Sequence, residues 1–106
     1  MNIEEQIMQI ILFSGNAKST AFEAIQAAKE QDHERAKECI EKANQELISA
    51  HHVQTTLIQS EIRGEGVVVS LLLVHAQDHL MNAITFKDLA IEFVDLYEVM
   101  NKRSVL

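Results

Sequence analysis

The residues able to do chemistry sit together in one short stretch, Val74-His75-Ala76-Gln77-Asp78-His79-Leu80-Met81. His75 and His79 are four apart, which puts both imidazoles on one face if the stretch is helical. Three chemistries suit that spacing. The pair can be a satisfied part of a core, bonded to backbone or water, with Asp78 pairing to a histidine. It can be part of a zinc site, since His at i and i+4 is good ligand spacing. Against that, the glutamate that follows the first histidine in the metalloprotease pattern is missing, and Cys39 is the single cysteine. Or a neutral imidazole can take up a phosphoryl group, with the Gln77 amide and the His79 ring donating hydrogen bonds to its oxygens. Neither a P-loop nor a kinase glycine loop is present, so such a group would arrive already activated on a partner.

Asp78 raises a separate question. It falls on an apolar seam, four residues after Val74 and three before Met81. A carboxylate there is costly unless it is paired or bound to a cation. Elsewhere, His51 and His52 are adjacent on a helical segment, about 100° apart, so at most one can face a core, and both are read as carrying no chemistry. Gln54, on the apolar stripe of that segment, is read as a register-setting polar residue and Cys39 as a packing residue.

Three segments position these groups. In the first, residues 3–30, Ile3, Ile7, Ile10, Ala17, Ala21, Ala24 and Ala28 form one helical face. Gly15 interrupts it and marks either a kink or a close approach by another backbone. In the second, residues 33–62, Asp32 is the expected N-cap with Glu34 in the first turn. Ala36, Ile40, Ala43, Leu47, Ala50, Gln54, Leu57 and Glu61 then alternate spacings of four and three. Gly64 suits the left-handed position that closes this helix. The third, residues 67–101, opens on Val67, Val68 and Val69, which alone could be a buried strand. Leu71, Val74, Asp78, Met81, Thr85 and Asp88 keep the helical spacing, and Leu89, Phe93, Leu96 and Met100 carry it on. The tail from Lys102 to Leu106 is expected to fray.

The chain therefore reads as all-α, a single domain spanning residues 1–106. Its 106 residues contain no proline and three glycines, little turn chemistry for an all-β or α/β fold. A formal charge of −7 argues against nucleic-acid binding. One cysteine excludes a disulfide framework and suits a reduced compartment. With neither a signal peptide nor a membrane-length apolar run, a cytoplasmic protein is expected. Helices of roughly 42–52 Å make a thin bundle with a poor surface-to-volume ratio, and the third is apolar on more than one side, so self-association is expected.

The stretch around His75 resembles the signature of the enzyme IIA component of the lactose/cellobiose-type sugar phosphotransferase system. Ala50-His51-His52-Val53-Gln54-Thr55-Thr56-Leu57-Ile58, Ser70-Leu71-Leu72 and Asp95-Leu96-Tyr97 extend the similarity over nearly the whole chain. The resemblance implies an antiparallel three-helix protomer that assembles as a homotrimer, a nine-helix bundle. It implies that His75 takes a phosphoryl group, through Nε2, from the histidine phosphocarrier protein. His75 then passes it to a cysteine of enzyme IIB as the membrane enzyme IIC imports a β-linked disaccharide of the cellobiose, chitobiose or lactose kind. The sugar does not touch this subunit. By the same resemblance Gln77 and His79 line the active-site groove, and Asp78 shares one structural Mg²⁺ per trimer. The first turn, Glu30-Gln31-Asp32, lacks a glycine that many relatives carry. Residue spacing alone leaves a metal-binding bundle and an oligomeric adaptor open beside a phosphorelay.

Overall fold

The computed structural model describes residues 2–104; Met1, Val105 and Leu106 lie outside it. Three helices follow one another, α1 (Ile3–Lys29), α2 (His33–Ile62) and α3 (Leu71–Ser104), and no strand occurs among the described residues. They lie up, down and up in a rod of 62 × 20 × 18 Å.

The helix ends follow from local hydrogen bonding. Asn2 caps α1, its side-chain oxygen accepting from the Glu5 N–H at 2.8 Å. Asp32 caps α2 as expected, accepting from the Arg35 N–H at 3.2 Å. Both ends satisfy donors that the first helical turn leaves unpaired. α2 closes at Gly64, with φ +76°, where the Gly64 N–H bonds the Glu61 carbonyl and the Glu65 N–H bonds the Ser60 carbonyl. That is the paired closure for which a glycine is favoured. Beyond it, the Arg63 guanidinium beside Glu65 holds that carboxyl below its ordinary range.

The end of α1 makes the same closure without a glycine. Gln31 sits at φ +65°, with its N–H on the Ala28 carbonyl and the Asp32 N–H on the Ala27 carbonyl. A side chain in the left-handed region is strained by roughly 1–2 kcal/mol. Gln31→Gly should therefore stabilise the chain by about 0.5–1 kcal/mol, after the glycine's greater freedom in the unfolded state is subtracted. A urea midpoint that does not rise in this variant would show that Gln31 makes a compensating contact.

Two expectations about α3 are corrected. It begins at Leu71, not at Val67, with residues 67–70 outside the helix. The reason is Ser70, whose hydroxyl accepts from the Leu73 N–H at 3.2 Å and whose carbonyl accepts from the Val74 N–H at 3.0 Å. Three β-branched valines before it favour extended backbone, so the cap and not the apolar run sets the boundary. At the other end Lys102 and Arg103 are helical, with Lys102 3.5 Å from Glu98 one turn earlier. The rest of the expected frayed tail, Val105 and Leu106, falls outside the described residues.

The interior is built mainly from alanine. Ala17, Ala21, Ala24 and Ala28 of α1 meet Ala36, Ala43 and Ala50 of α2 and Ala76, Ala83 and Ala90 of α3, all fully or almost fully buried. Larger side chains enter chiefly at the end of the rod that holds His75, where Ile7, Ile10, Leu47, Leu57 and Leu80 form one cluster. The stripe anticipated on α2 is thus its packed face. The stripe anticipated on α3 is not. Leu71, Val74, Met81, Leu89, Phe93, Leu96 and Met100 are all exposed, Leu71 by 86%, while α3 packs through Ala76, Leu80, Ala83, Ala90 and Val94. Small residues therefore fill the interior, and one chain leaves a broad apolar face of α3 uncovered.

Gly15 does not end α1. α1 runs through it, and outside the helix's own backbone nothing described lies within 4 Å of where a Cβ would stand. A glycine inside a helix costs roughly 1 kcal/mol relative to alanine.

Candidate functional site

His75 is the fifth residue of α3 and is exposed. One turn on, the half-buried ring of His79 lies edge-on to it, with ring centroids 4.6 Å apart and planes at 85°. The i, i+4 spacing on an unbroken helix fixes this contact, and Ala76 and Leu80, packed against α1 and α2, hold that turn of α3 in place. Leu71 and Leu72 lie one turn before His75 and line a shallow apolar hollow with it. Ile62, Val68 and Val69, at the α2–α3 connection, add further exposed apolar surface. His75 therefore stands at the edge of a surface suited to another protein, without a cleft enclosing it.

The other anticipated residues are distributed around α3. Gln77 does not join His75. Two residues along an α-helix are about 200° apart around its axis. Gln77 instead faces α2, where its Oε1 accepts from the Gln54 Nε2 at 2.7 Å in a part-buried bond. That bond explains the polar position on the α2 stripe: Gln54 has an interhelical partner. Sequence spacing signalled Gln54 as unusual, but its partner lies 23 residues away and is visible only in the fold. Asp78 is exposed, between Val74 and Met81 on the unpartnered face of α3.

The remaining candidates lie elsewhere. His51 and His52 are both exposed on α2. His33, at the opposite end of the rod, has its Nε2 2.9 Å from the Asn101 Nδ2, tying the start of α2 to the end of α3. Cys39 is buried, and burial, with Glu23 nearby, pushes its thiol above the ordinary range, which makes it a poor nucleophile. Among the described residues of one chain, no three His, Cys, Asp or Glu side chains converge in a way that could hold a metal ion. No helix of the described residues is long and apolar enough to cross a membrane.

A long all-helical chain with an exposed histidine and a half-buried one a turn further along its last helix is the architecture of a known class of sugar-transport phosphotransfer components. Residues 5–98 match the family described as PTS system, lactose/cellobiose specific IIA subunit. The lichenan-specific phosphotransferase enzyme IIA component of Bacillus subtilis (strain 168) is 52% identical over 101 residues, covering 95% of this chain and 92% of the relative. The crystal structure of the cellobiose-specific enzyme IIA from Bacillus anthracis superposes with a TM-score of 0.92 at 53% identity, over 96% of this chain and 94% of that one. A chain of the IIA(chitobiose)–HPr complex from the N,N'-diacetylchitobiose branch of the Escherichia coli phosphotransferase system gives a TM-score of 0.85 at 38% identity, over 95% and 98% of the two chains. The chain belongs to the lactose/cellobiose-specific enzyme IIA family of the sugar phosphotransferase system, and is an enzyme IIA component of it.

Proposed function

We propose that His75 carries the phosphoryl group, taking it from the histidine phosphocarrier protein and passing it to a cysteine of a cognate enzyme IIB during uptake of a β-linked disaccharide. The observation that carries this reading is the exposed His75 ring, set edge-on to His79 at the border of an apolar surface. The complex of the related chitobiose IIA with HPr supports the donor, and the names of the lichenan and cellobiose relatives support the sugar class. The sugar itself meets the membrane enzyme IIC and not this subunit, whose working setting is the cytoplasm.

Transfer needs no water and no nucleotide. The Nε2 lone pair of neutral His75 attacks phosphorus on the donor's phosphohistidine, a P–N bond forms, and the donor's P–N bond breaks. In the second step the cysteine thiolate of enzyme IIB attacks phosphorus, a P–S bond forms, and His75 regains its lone pair. Protein surfaces that exclude water around His75 let the group move without hydrolysis. The corrected start of α3 leaves the positive helix terminus one turn from His75, which favours the phosphate's negative charge. His79 donates to a phosphate oxygen. Gln77 works at one remove, fixing the His75 turn against α2 through Gln54.

Incubation with phosphoenolpyruvate, the general phosphotransferase enzyme and the phosphocarrier protein tests this reading, and one acid-labile phosphate per chain is expected. A chain that stays unmodified while the phosphocarrier is fully phosphorylated contradicts it. Loss of a hydrogen bond to a charged group costs roughly 1.5–3 kcal/mol. His79→Ala should accordingly slow transfer ten- to a hundredfold with helicity intact, as stopped-flow or quench measurements would show. Unchanged kinetics would remove His79 from the site.

The same reading includes assembly. Seven exposed apolar side chains on one face of α3 match what three copies would bury around a common axis, and Asp78 lies among them. One chain offers that face a single carboxylate, whereas three copies offer three, an oxygen-only set suited to Mg²⁺. Asp78 of each copy would hold the ion, which supplies charge neutralisation on the axis.

A further inference from the structure

Gln54 is a polar residue on a packed face. Its neighbours one turn away along α2, Ala50 and Leu57, are buried, and its Nε2 donates across to the Gln77 Oε1 at 2.7 Å. An apolar pair of similar shape would hold the two helices about as well, because replacing both partners of such a bond is nearly neutral for stability. What the hydrogen bond adds is direction, which apolar contact lacks. It acts at a telling point. Gln77 is two residues after His75 and two before His79, the midpoint of the turn that carries both rings. The residues of that turn packed inward are Ala76, with a single methyl, and Leu80. α2 and α3 also pack on each other less than either packs on α1, so the bond acts on the loosest helix pair of the rod. The His33–Asn101 contact joins the same two helices, but at the opposite end.

We propose that Gln54 is a positioning residue for phosphoryl transfer: through Gln77 it sets the rotation of the α3 turn that presents His75. The inference rests on His75 as the carrier and adds to the transfer step a residue from another helix. The lever is short. An imidazole stands roughly 6 Å from its helix axis, so a rotation of about 10° moves it by about 1 Å. A misplacement of that size slows a reaction by up to about a hundredfold. His75 is exposed and recovers part of the loss by turning its own side chain, so about tenfold is expected. The bond does not demand an amide at position 54. The Gln77 amide has an accepting and a donating end, so a glutamate there keeps the tie whether it is ionised or protonated.

Three variants of the full chain separate position from stability. Gln54→Leu should slow transfer from the phosphocarrier protein about tenfold in kcat, with KM for that donor within twofold of wild type. Gln54→Glu should restore kcat to within about twofold. Gln54→Leu combined with Gln77→Leu should melt at or above the wild-type temperature and still transfer about tenfold slowly. NMR should show the His75 and His79 ring resonances shifted in the leucine variants and near their wild-type positions in Gln54→Glu. If Gln54→Leu alone does not fold, the double variant is read in its place. Wild-type kcat in the leucine variants, a glutamate variant as slow as leucine, or rates that simply follow melting temperature overturn the inference and leave His75 as the carrier. A wild-type chain that takes no phosphate on His75 overturns the carrier reading itself.

Discussion

Replacing His75 by alanine should reduce phosphate uptake to background while leaving the helical content and the assembly unchanged. The side chain is exposed and its ring contact is with His79 alone among the aromatic pairs described, so its removal opens no cavity in the core. The buried residues of the same helical turns, Ala76 and Leu80, keep α3 seated without it. A nucleophile cannot be replaced by its neighbours when the reaction is the making of a bond to that atom. His79 is one turn away and half-buried, and His51 and His52 lie on another helix. The measurement is incorporation of label from phosphoenolpyruvate, with circular dichroism and sedimentation as controls. Stoichiometric label on His75→Ala would assign the carrier role to another residue.

Asp78→Leu should change what holds the chains together and little else. Asp78 lies on the exposed apolar face of α3, between Val74 and Met81. Around a three-fold axis three carboxylates would converge, and like charges so placed must take up protons or bind a cation. The ion then offsets repulsion and desolvation without adding attraction of its own, so an apolar residue of similar size should hold the assembly at least as well. In the trimer proposed above, the variant is expected to assemble as the parent chain does, to accept phosphate, and to have a stability independent of divalent metal. Sedimentation with and without a chelator reads this directly. A monomeric Asp78→Leu would mean that the carboxylate makes a specific contact, and the axial placement would fall.

Much of this fold is legible in the sequence because helix periodicity and capping are local. Asp32 and Gly64 mark the ends of α2, and Ala36, Ala43, Leu47, Ala50 and Leu57 form its buried face. On α3 periodicity misleads in an instructive way. It detects that a face is apolar, not what covers it, and α3 has two such faces. Residues 71, 74 and 81 stand out in the sequence because they flank a carboxylate, yet the chain packs through the quieter set that includes Ala76, Leu80 and Ala83. The start of α3 was obscured because a hydrophobic run hides a one-residue signal, the Ser70 cap.

The site divides in the same manner. The His75–His79 contact follows from spacing on one helix, so it is legible once the helix is. The direction of Gln77 was also legible, since i+2 lies on the far side of a helix, but its pairing with Gln54 joins two helices and required the fold. Gly15 stands out in the sequence as a mid-helix glycine, whereas the open space beside it among the described residues is a property of the packed fold.

The measurement that bears most directly on the central claim is the position of the phosphate. The chain is phosphorylated through the phosphocarrier protein at neutral to alkaline pH, where a phosphohistidine survives. Imidazole shifts and phosphorus coupling in heteronuclear NMR, backed by mass mapping of peptides, then locate the group. The account predicts one phosphate per chain, on Nε2 of His75, with His51, His52, His79 and His33 unmodified. Phosphate on any of those four, or none on His75 in a chain that is folded and assembled, contradicts it.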